Sequence, residues 1–348
     1  MDSVALKSAF EKGAIIGFSV SVVDDKGLIY ENGFGFTDIE LKKKYSPNTT
    51  QNIASISKTL IGISLLKAQE LGKLKLDDPI NKYLPFKVVN PKHPEVPITI
   101  VQLATHTSSV RDTDWYGKSY VMLDSVQAEG VMIPEYFNAP KEGISLAMYL
   151  EKVLTPKGAW YTSEVYGGYA PGSKFSYSNI ASALAAFVLE GATNMSFEHF
   201  TAQYIFKPLQ MSATGWSNAA IEVSKRSKVY KAKDTLIADY RLITFPDGGL
   251  ITSTNNLSKY LSELMKGYAG EGTLLSKESY ESFYKKYLTV NHFNDGKLPG
   301  NSGIFLDYGK HGIGHNGGDP GILTFMYFDA ETKIGKIVFI NTDLDFDP

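Results

Sequence analysis

The sequence predicts an α/β (α+β) protein: one antiparallel sheet built from both chain ends, flanked by helices, with a mainly helical lobe inserted between them. Strand patterns near both termini and helical periodicity through the middle carry this expectation. Residues 4–12 have mixed helical spacing and stop at Gly13, a short helix with a C-terminal glycine. Residues 15–23 are rich in β-branched side chains, Asp24-Asp25-Lys26-Gly27 supplies turn chemistry, and 28–34 resumes an extended pattern. Together they form a hairpin. A second hairpin pairs 321–329 with 334–341 around Ala330-Glu331-Thr332-Lys333. Between them, helical spacing recurs over 55–71, 98–105, 144–153, 179–190, 197–206 and 256–266. The expected division is an α/β domain from 1–75 and 245–348, and a mainly helical lobe over 76–244.

The 348 residues include 35 Lys+Arg against 37 Asp+Glu, for a formal net charge of −2, and no Cys. A chain this long buries about three quarters of its extended surface, enough for one large core or two smaller ones. Near-neutral charge gives no electrostatic footprint for phosphate backbones or anionic lipid, so nucleic acid is not an expected partner. The apolar stretches 14–23 and 180–189 are interrupted by Gly17, Ser19 and Ser182 and are too short to span a bilayer, so no membrane span is expected. The absence of Cys removes disulfides, thiolate metal sites and Cys nucleophiles, and suits either redox compartment. With neither a basic n-region nor an apolar h-region at its start, the chain is expected to be cytoplasmic or already trimmed of an export signal.

Residues 111–168 are the least regular stretch and carry Trp115, Tyr116, Tyr120, Tyr136, Trp160 and Tyr166 among Gly and Pro. Such aromatics pack a loop-rich lobe or wall a cleft between lobes, and both readings stand at this point.

Serine with a nearby lysine is the one recurrent nucleophile arrangement. Ser-x-x-Lys occurs three times, at Ser55/Lys58, Ser64/Lys67 and Ser282/Lys285. The chemistry demands more than the pattern: the lysine serves as base only when neutral, and the hydroxyl must lie within about 3 Å of its amine. A helix places i and i+3 on one face, and a helix N-terminus favours an alkoxide or oxyanion. Ser55 opens a predicted helix, whereas Ser64 lies mid-helix, where its hydroxyl is expected to bond the carbonyl four residues back. Ser282 sits among Lys277, Glu278, Glu281 and Lys286 on a solvated face. From spacing alone, Ser55 reads equally as an N-cap with Lys58 at the surface.

The segment Asn52-Ile53-Ala54-Ser55-Ile56-Ser57-Lys58-Thr59 resembles the nucleophile motif of the penicillin-recognising serine hydrolases, the family of class C β-lactamases, D-alanyl-D-alanine carboxypeptidases, D-aminopeptidases and related esterases. Residues 71–80, 100–108, 171–179 and 246–250 are similar to family segments in the family's order. The resemblance implies a β-lactamase/transpeptidase-like fold and an acyl-enzyme mechanism without a cofactor. The family's second element is Tyr-x-Asn, and Tyr30, Tyr136 and Tyr177 all fit the bare pattern. Context selects Tyr177, between a Pro-Gly turn and an apolar helix. By resemblance, Tyr177 exchanges protons with Ser55 and the leaving group, and Asn179 hydrogen-bonds Lys58 and a substrate amide.

The third element is usually Lys-Thr-Gly. Here Gly314-His315-Asn316-Gly317-Gly318 resembles the His-x-Gly variant, with Lys310-His311-Gly312 a competing match that lacks the following Pro-Gly. Zinc at His311 and His315 is disfavoured, since two intervening glycines oppose a helix and no Glu follows His311. The resemblance implies that Gly317 lets substrate approach closely and that the Gly318 and Ser55 amides form an oxyanion hole. His315 would supply a hydrogen bond, with charge only when protonated, which makes efficient β-lactam hydrolysis doubtful. His106 is expected to be structural, His93, His199 and His292 to lie at the surface, and Asp247-Gly248-Gly249 to form a tight turn beside the cleft with glycine at positive φ.

The implied activity is hydrolysis of a small-molecule or short-peptide substrate, foremost as a D-alanyl peptidase or carboxypeptidase, alternatively as an esterase or weak β-lactamase. From another class, the same cleft would serve a sensor that binds penicillin or cell-wall peptides without turnover. Family resemblance favours a periplasmic or other extracytoplasmic location. Family members usually carry a C-terminal helix for which residues 341–348 leave no room, so either a truncation or an oligomer contact over the C-terminal edge is expected.

Overall fold

The structure, a computed structural model, describes residues 8, 10–298 and 300–344. The helix expected over 4–12 lies mostly outside the described residues. Its end is visible: the Lys12 amide donates to the Ser8 carbonyl at 3.0 Å, and Gly13 follows with φ +75°.

The chain ends meet in one sheet. Strands β1 (Gly17–Asp24), β2 (Gly27–Asp38), β3 (Lys43–Lys44), β4 (Asn301–Ser302), β5 (Asp307–Gly309), β6 (Gly312–Asp319), β7 (Ile322–Asp329) and β8 (Ile334–Ile340) form an eight-stranded sheet. Its order is β4-β5-β6-β7-β8-β1-β2-β3, antiparallel throughout. The β1–β8 pairing, with Phe18 opposite Ile340 and Val20 opposite Val338, closes the two terminal hairpins into one sheet. Alternation sets the faces: Ser19, Ser21 and Val23 are buried beneath helices, while Phe18 joins Leu323, Phe325 and Ile340 in an apolar cluster on the other face. Phe10 meets Phe18 edge-on at 5.3 Å over that second face. Beyond β8 the chain is tied back, since Asn341 Oδ1 accepts the Gly17 amide and Thr342 Oγ1 the Ile16 amide, each at 2.9 Å.

Helices α1 (Lys58–Glu70), α2 (Ile100–Ala104), α3 (Leu146–Leu154), α4 (Asn179–Thr193), α5 (Phe197–Thr201), α6 (Thr254–Tyr268) and α7 (Lys277–Tyr284) complete the described core. α6 crosses the inner sheet face, and Gly335 of β8 makes room for it: a Cβ there would lie 2.8 Å from Leu261 and 2.6 Å from Val23. α1 and α4 pack together and are buried on nearly every side, which matches their continuous apolar sequences. Among the described residues no single helix is long and apolar enough to cross a membrane; α4 and 197–206 pass that test only as a pair bent by 82°.

Three expectations need correction. The helix expected from Ser55 begins at Lys58, after a 3₁₀ turn over Ala54–Ser57. Residues 197–206 are not one α-helix, because α5 passes into a π-helical turn at Ala202–Phe206. Ser64 Oγ is buried and, among the described residues, makes no hydrogen bond, to the preceding turn or elsewhere.

Candidate active site

A strained turn presents Ser55. Ala54 adopts φ +48°, a left-handed conformation that costs a non-glycine residue about 1–3 kcal/mol. Its surroundings hold it there: the Ala54 amide donates to Asn52 Oδ1 at 2.7 Å, the Ile53 amide to the Leu250 carbonyl at 2.9 Å, and Thr324 Oγ1 to the Ile53 carbonyl at 2.8 Å. Ser55 stands half-buried at the crest, and Lys58 points back beneath it, completely buried. Lys58 Nζ donates to Ser55 Oγ at 3.0 Å, to Asn179 Oδ1 at 2.7 Å and to the Asp247 carbonyl at 2.7 Å. Burial pulls the Lys58 amine down, but its interactions with Tyr177, Asp247 and Asp112 outweigh burial and leave the amine above its ordinary value. The neutral lysine anticipated for a base is therefore not its resting state.

Asn179 opens α4 beneath a carboxylate that sequence reasoning missed. Asp112 accepts the amides of Asn179 and Ile180 at 3.0 and 2.9 Å, the Ser178 hydroxyl at 2.8 Å and Asn179 Nδ2 at 2.9 Å. This satisfies the open N–H groups of the helix end and fixes the Asn179 amide so that its oxygen faces Lys58. Asp112 carries no local motif, because its partners lie far along the chain.

Tyr177 precedes this cap, with its ring 5.1 Å from Lys58 Nζ and 40% of its surface open. Burial raises its hydroxyl above the usual phenol range, against the pull of Lys58 and Ser55. His106 underlies it at 4.4 Å between ring centroids, and His106 Nδ1 accepts the Ser178 amide at 3.2 Å. Burial also lowers the His106 pKa well below its ordinary value, which suits a neutral acceptor. His106 thus acts as a buried prop for the segment that carries Tyr177.

The 245–249 turn differs from expectation. Gly248 has φ −160°, and the positive-φ glycines do not include Gly249. Space is the constraint on Gly249, where a Cβ would lie 2.9 Å from the Phe245 backbone. Asp247 is buried and accepts the Tyr116 hydroxyl at 3.1 Å through Oδ1, while Oδ2 has no partner among the described residues. Burial pushes its carboxyl up to about 8, so it is largely neutral at pH 7.

β6 forms the opposite wall. His315 is buried, with its ring 6.4 Å from that of Tyr177 and Nε2 3.8 Å from Asp307. Burial lowers its pKa, with Lys58 adding to the effect and Asp307 opposing it. A Cβ on Gly317 would come within 2.8 Å of the Ser55 amide nitrogen and 2.5 Å of the Ile53 carbonyl, so glycine here lets the strand touch the Ser55 turn. Gly318 is exposed and open on its Cβ side. The His311 ring lies 5.7 Å from that of Tyr327, which occupies the sheet's other face, so it does not converge with His315.

The competing matches stay apart from this cluster. Lys67 pairs with Glu70 at 3.0 Å, Ser282 lies against the Tyr287 hydroxyl, and Tyr30 and Tyr136 are exposed. Tyr116 and Tyr120 contact Asp247 and Asp319, so part of the irregular aromatic stretch does wall the cleft.

Comparison with known proteins places this arrangement in context. Protein flp of Staphylococcus aureus (strain MW2) is 22% identical over 345 residues, which are 97% of this chain and 62% of that protein. The chain thus spans less than two thirds of the length of that relative. The octameric penicillin-binding protein homologue from Pyrococcus abyssi superimposes with a TM-score of 0.71 at 22% identity, covering 98% of this chain and 74% of the other. A β-lactamase/D-alanine carboxypeptidase from Pseudomonas syringae gives a TM-score of 0.72 at 14% identity, covering 98% and 93%. The family model described as Beta-lactamase matches residues 5–347, and the chain belongs to the beta-lactamase family, a family of serine hydrolases.

Proposed function

We propose that the chain is a serine hydrolase that cleaves peptide, amide or ester bonds through an acyl-enzyme, with D-alanyl peptides as the foremost substrates. The observation that carries this reading is the buried Lys58 amine 3.0 Å from Ser55 Oγ. Ser55 Oγ attacks the substrate carbonyl carbon while its proton passes to the Lys58/Tyr177 pair. The amides of Ser55 and Gly318 receive the oxyanion. Collapse of the tetrahedral intermediate breaks the bond to the leaving nitrogen or oxygen, which takes the proton from the same pair. Water then adds to the acyl carbon, gives up a proton to the pair, and releases the acid with Ser55 restored.

Lys58 and Tyr177 both hold protons more tightly than free side chains do. The pair becomes a base by losing one of them, so activity rises with pH. Asn179 and Asp112 orient Lys58 within it. No step requires a cofactor.

His315 is held neutral by burial, which removes the fixed cation that would grip the carboxylate of a β-lactam. D-alanyl peptides and esters whose leaving group carries no carboxylate suit such a wall better than a β-lactam does. A panel of D-alanyl peptides, p-nitrophenyl esters and a chromogenic cephalosporin tests this, with turnover expected for the first two and slow turnover for the third. Acylation stopping at one equivalent with every substrate would replace the hydrolase by a sensor that binds without turnover.

A further inference from the structure

The turn beneath Lys58 carries a carboxyl group that takes no part in the steps above. Asp247 ends the 3₁₀ turn Phe245–Asp247, and the backbone there is locked: its amide donates to the Thr244 carbonyl at 3.0 Å, and the Gly248 and Gly249 amides both turn back to the Phe245 carbonyl. Just beyond, the Leu250 amide donates to Ser57 Oγ at 3.2 Å, which ties the turn to the segment bearing Ser55. The Asp247 carbonyl accepts Lys58 Nζ at 2.7 Å. Its buried carboxyl accepts the Tyr116 hydroxyl through Oδ1, and Oδ2 has no partner among the described residues.

The surroundings of that carboxyl oppose its ionisation. Lys58 of α1 is the cation that acts on it, while the carboxyls of Asp112 and of Asp319 at the end of β6 repel a negative charge there. The other titratable neighbours are Tyr116, Tyr120 and, from α3, Tyr149; burial raises all three hydroxyls well above their ordinary value, so they stay neutral. Burial raises the Asp247 carboxyl to about 8, against the pull of Lys58 and of the Thr244 hydroxyl. Its proton is therefore coupled to that of the Lys58/Tyr177 pair. An ionised Asp247 stabilises the Lys58 ammonium, so loss of the carboxyl proton makes the pair harder to deprotonate. Two forms of the site then hold the same number of protons. The competent form has a neutral Asp247 and a deprotonated pair, and the idle form has an ionised Asp247 and a protonated pair. Because they differ only in where one proton sits, their ratio does not change with pH.

We propose that Asp247 is a positioning residue for Lys58 whose carboxyl must keep its proton for the Lys58/Tyr177 pair to serve as base. This rests on the hydrolase reading above and deepens it. Hydrolysis then has an upper working limit: the rate climbs with pH while Asp247 is neutral and levels off above about pH 8. The test measures kcat/KM for p-nitrophenyl acetate between about pH 6 and about pH 10 on the wild type and on Asp247→Asn, with Ser55→Ala as the blank. Asparagine keeps an acceptor for Tyr116 and cannot ionise. The wild type is expected to level off while Asp247→Asn keeps climbing, so that the ratio of variant to wild type rises at least about tenfold between about pH 7 and about pH 10. Tyr116→Phe gives a second readout, because removing the donor to Oδ1 disfavours the carboxylate; the levelling point should move up by about half a pH unit or more. Parallel profiles for the wild type and Asp247→Asn overturn the proposal, as does a wild-type rate still climbing at about pH 10, or a levelling point that Tyr116→Phe leaves in place or moves down. In each of these cases the hydrolase reading stands. Ester cleavage no faster than the Ser55→Ala blank at any pH is a different failure, in which the hydrolase reading falls and this proposal with it.

Discussion

Asp112 positions Asn179: its Oδ2 accepts both the backbone amide and the side-chain Nδ2 of Asn179, at 3.0 and 2.9 Å. That clamp leaves Asn179 Oδ1 facing Lys58 Nζ at 2.7 Å. One carboxylate therefore caps α4 and sets the Lys58 partner. Asp112→Ala is expected to cost about 2–4 kcal/mol in chemical denaturation, because it removes charge-assisted bonds at a helix end. Catalysis should fall more than tenfold even at temperatures where the variant is fully folded, measured on p-nitrophenyl esters.

Asp247 gives a stability prediction with a defined sign. Its carboxyl rises from an ordinary value of 3.8 to about 8 in the folded chain, so the folded state binds the proton more tightly than the unfolded one. That contribution is fully present below the unfolded pKa and is lost as pH climbs from about 4 to about 8. Asp247→Asn removes the penalty, so its Tm should exceed that of the wild type by about 2 °C or more at pH 8 and converge with it near pH 4. Thermal unfolding at both pH values checks this.

The pH dependence of catalysis follows from Lys58 and Tyr177. Both proton affinities are raised, so the deprotonated pair is a minor species at neutral pH. kcat/KM for a neutral ester should climb from pH 6 to pH 8, approaching about tenfold per unit on the ascending limb. A flat profile across that range would point to a base other than this pair.

His315 sets the response to anionic substrates. His315→Lys places a fixed charge on the cleft wall, and the rate of acylation by a chromogenic cephalosporin should rise by about fivefold or more. The gain should appear mainly in KM, since the cation contacts the carboxylate in ground and transition state alike.

Sequence pattern reached the parts of this molecule whose logic is local. The terminal hairpins are β-branched or apolar runs flanking turn residues, and α1 and α4 are apolar throughout, so both were legible. β6 was not legible from its pattern, because four glycines erase its alternation; its strand character comes from pairing with β7, as in His315 opposite Met326. α7 was read as a solvated face from its charges, although Tyr280, Phe283 and Tyr284 are buried. At the candidate site, Ser55, Lys58 and Asn179 meet within hydrogen-bonding distance, and Tyr177 lies over Lys58. Asp112, the buried carboxyl of Asp247, and Asp319 escaped because their partners come from other elements, 67 residues away for Asp112 and Asn179, 131 for Tyr116 and Asp247, and 199 for Tyr120 and Asp319. Spacing within one segment carries no trace of such pairings.

The central claim is that Ser55 is the nucleophile. Its most direct test is intact-protein and peptide mass spectrometry after treatment with a fluorophosphonate, with Ser55→Ala in parallel. One adduct per chain, located on Ser55, blocking ester hydrolysis and missing from Ser55→Ala, is the predicted result. An adduct on Ser64, Ser282 or another residue, or ester hydrolysis that survives in Ser55→Ala, would contradict the account.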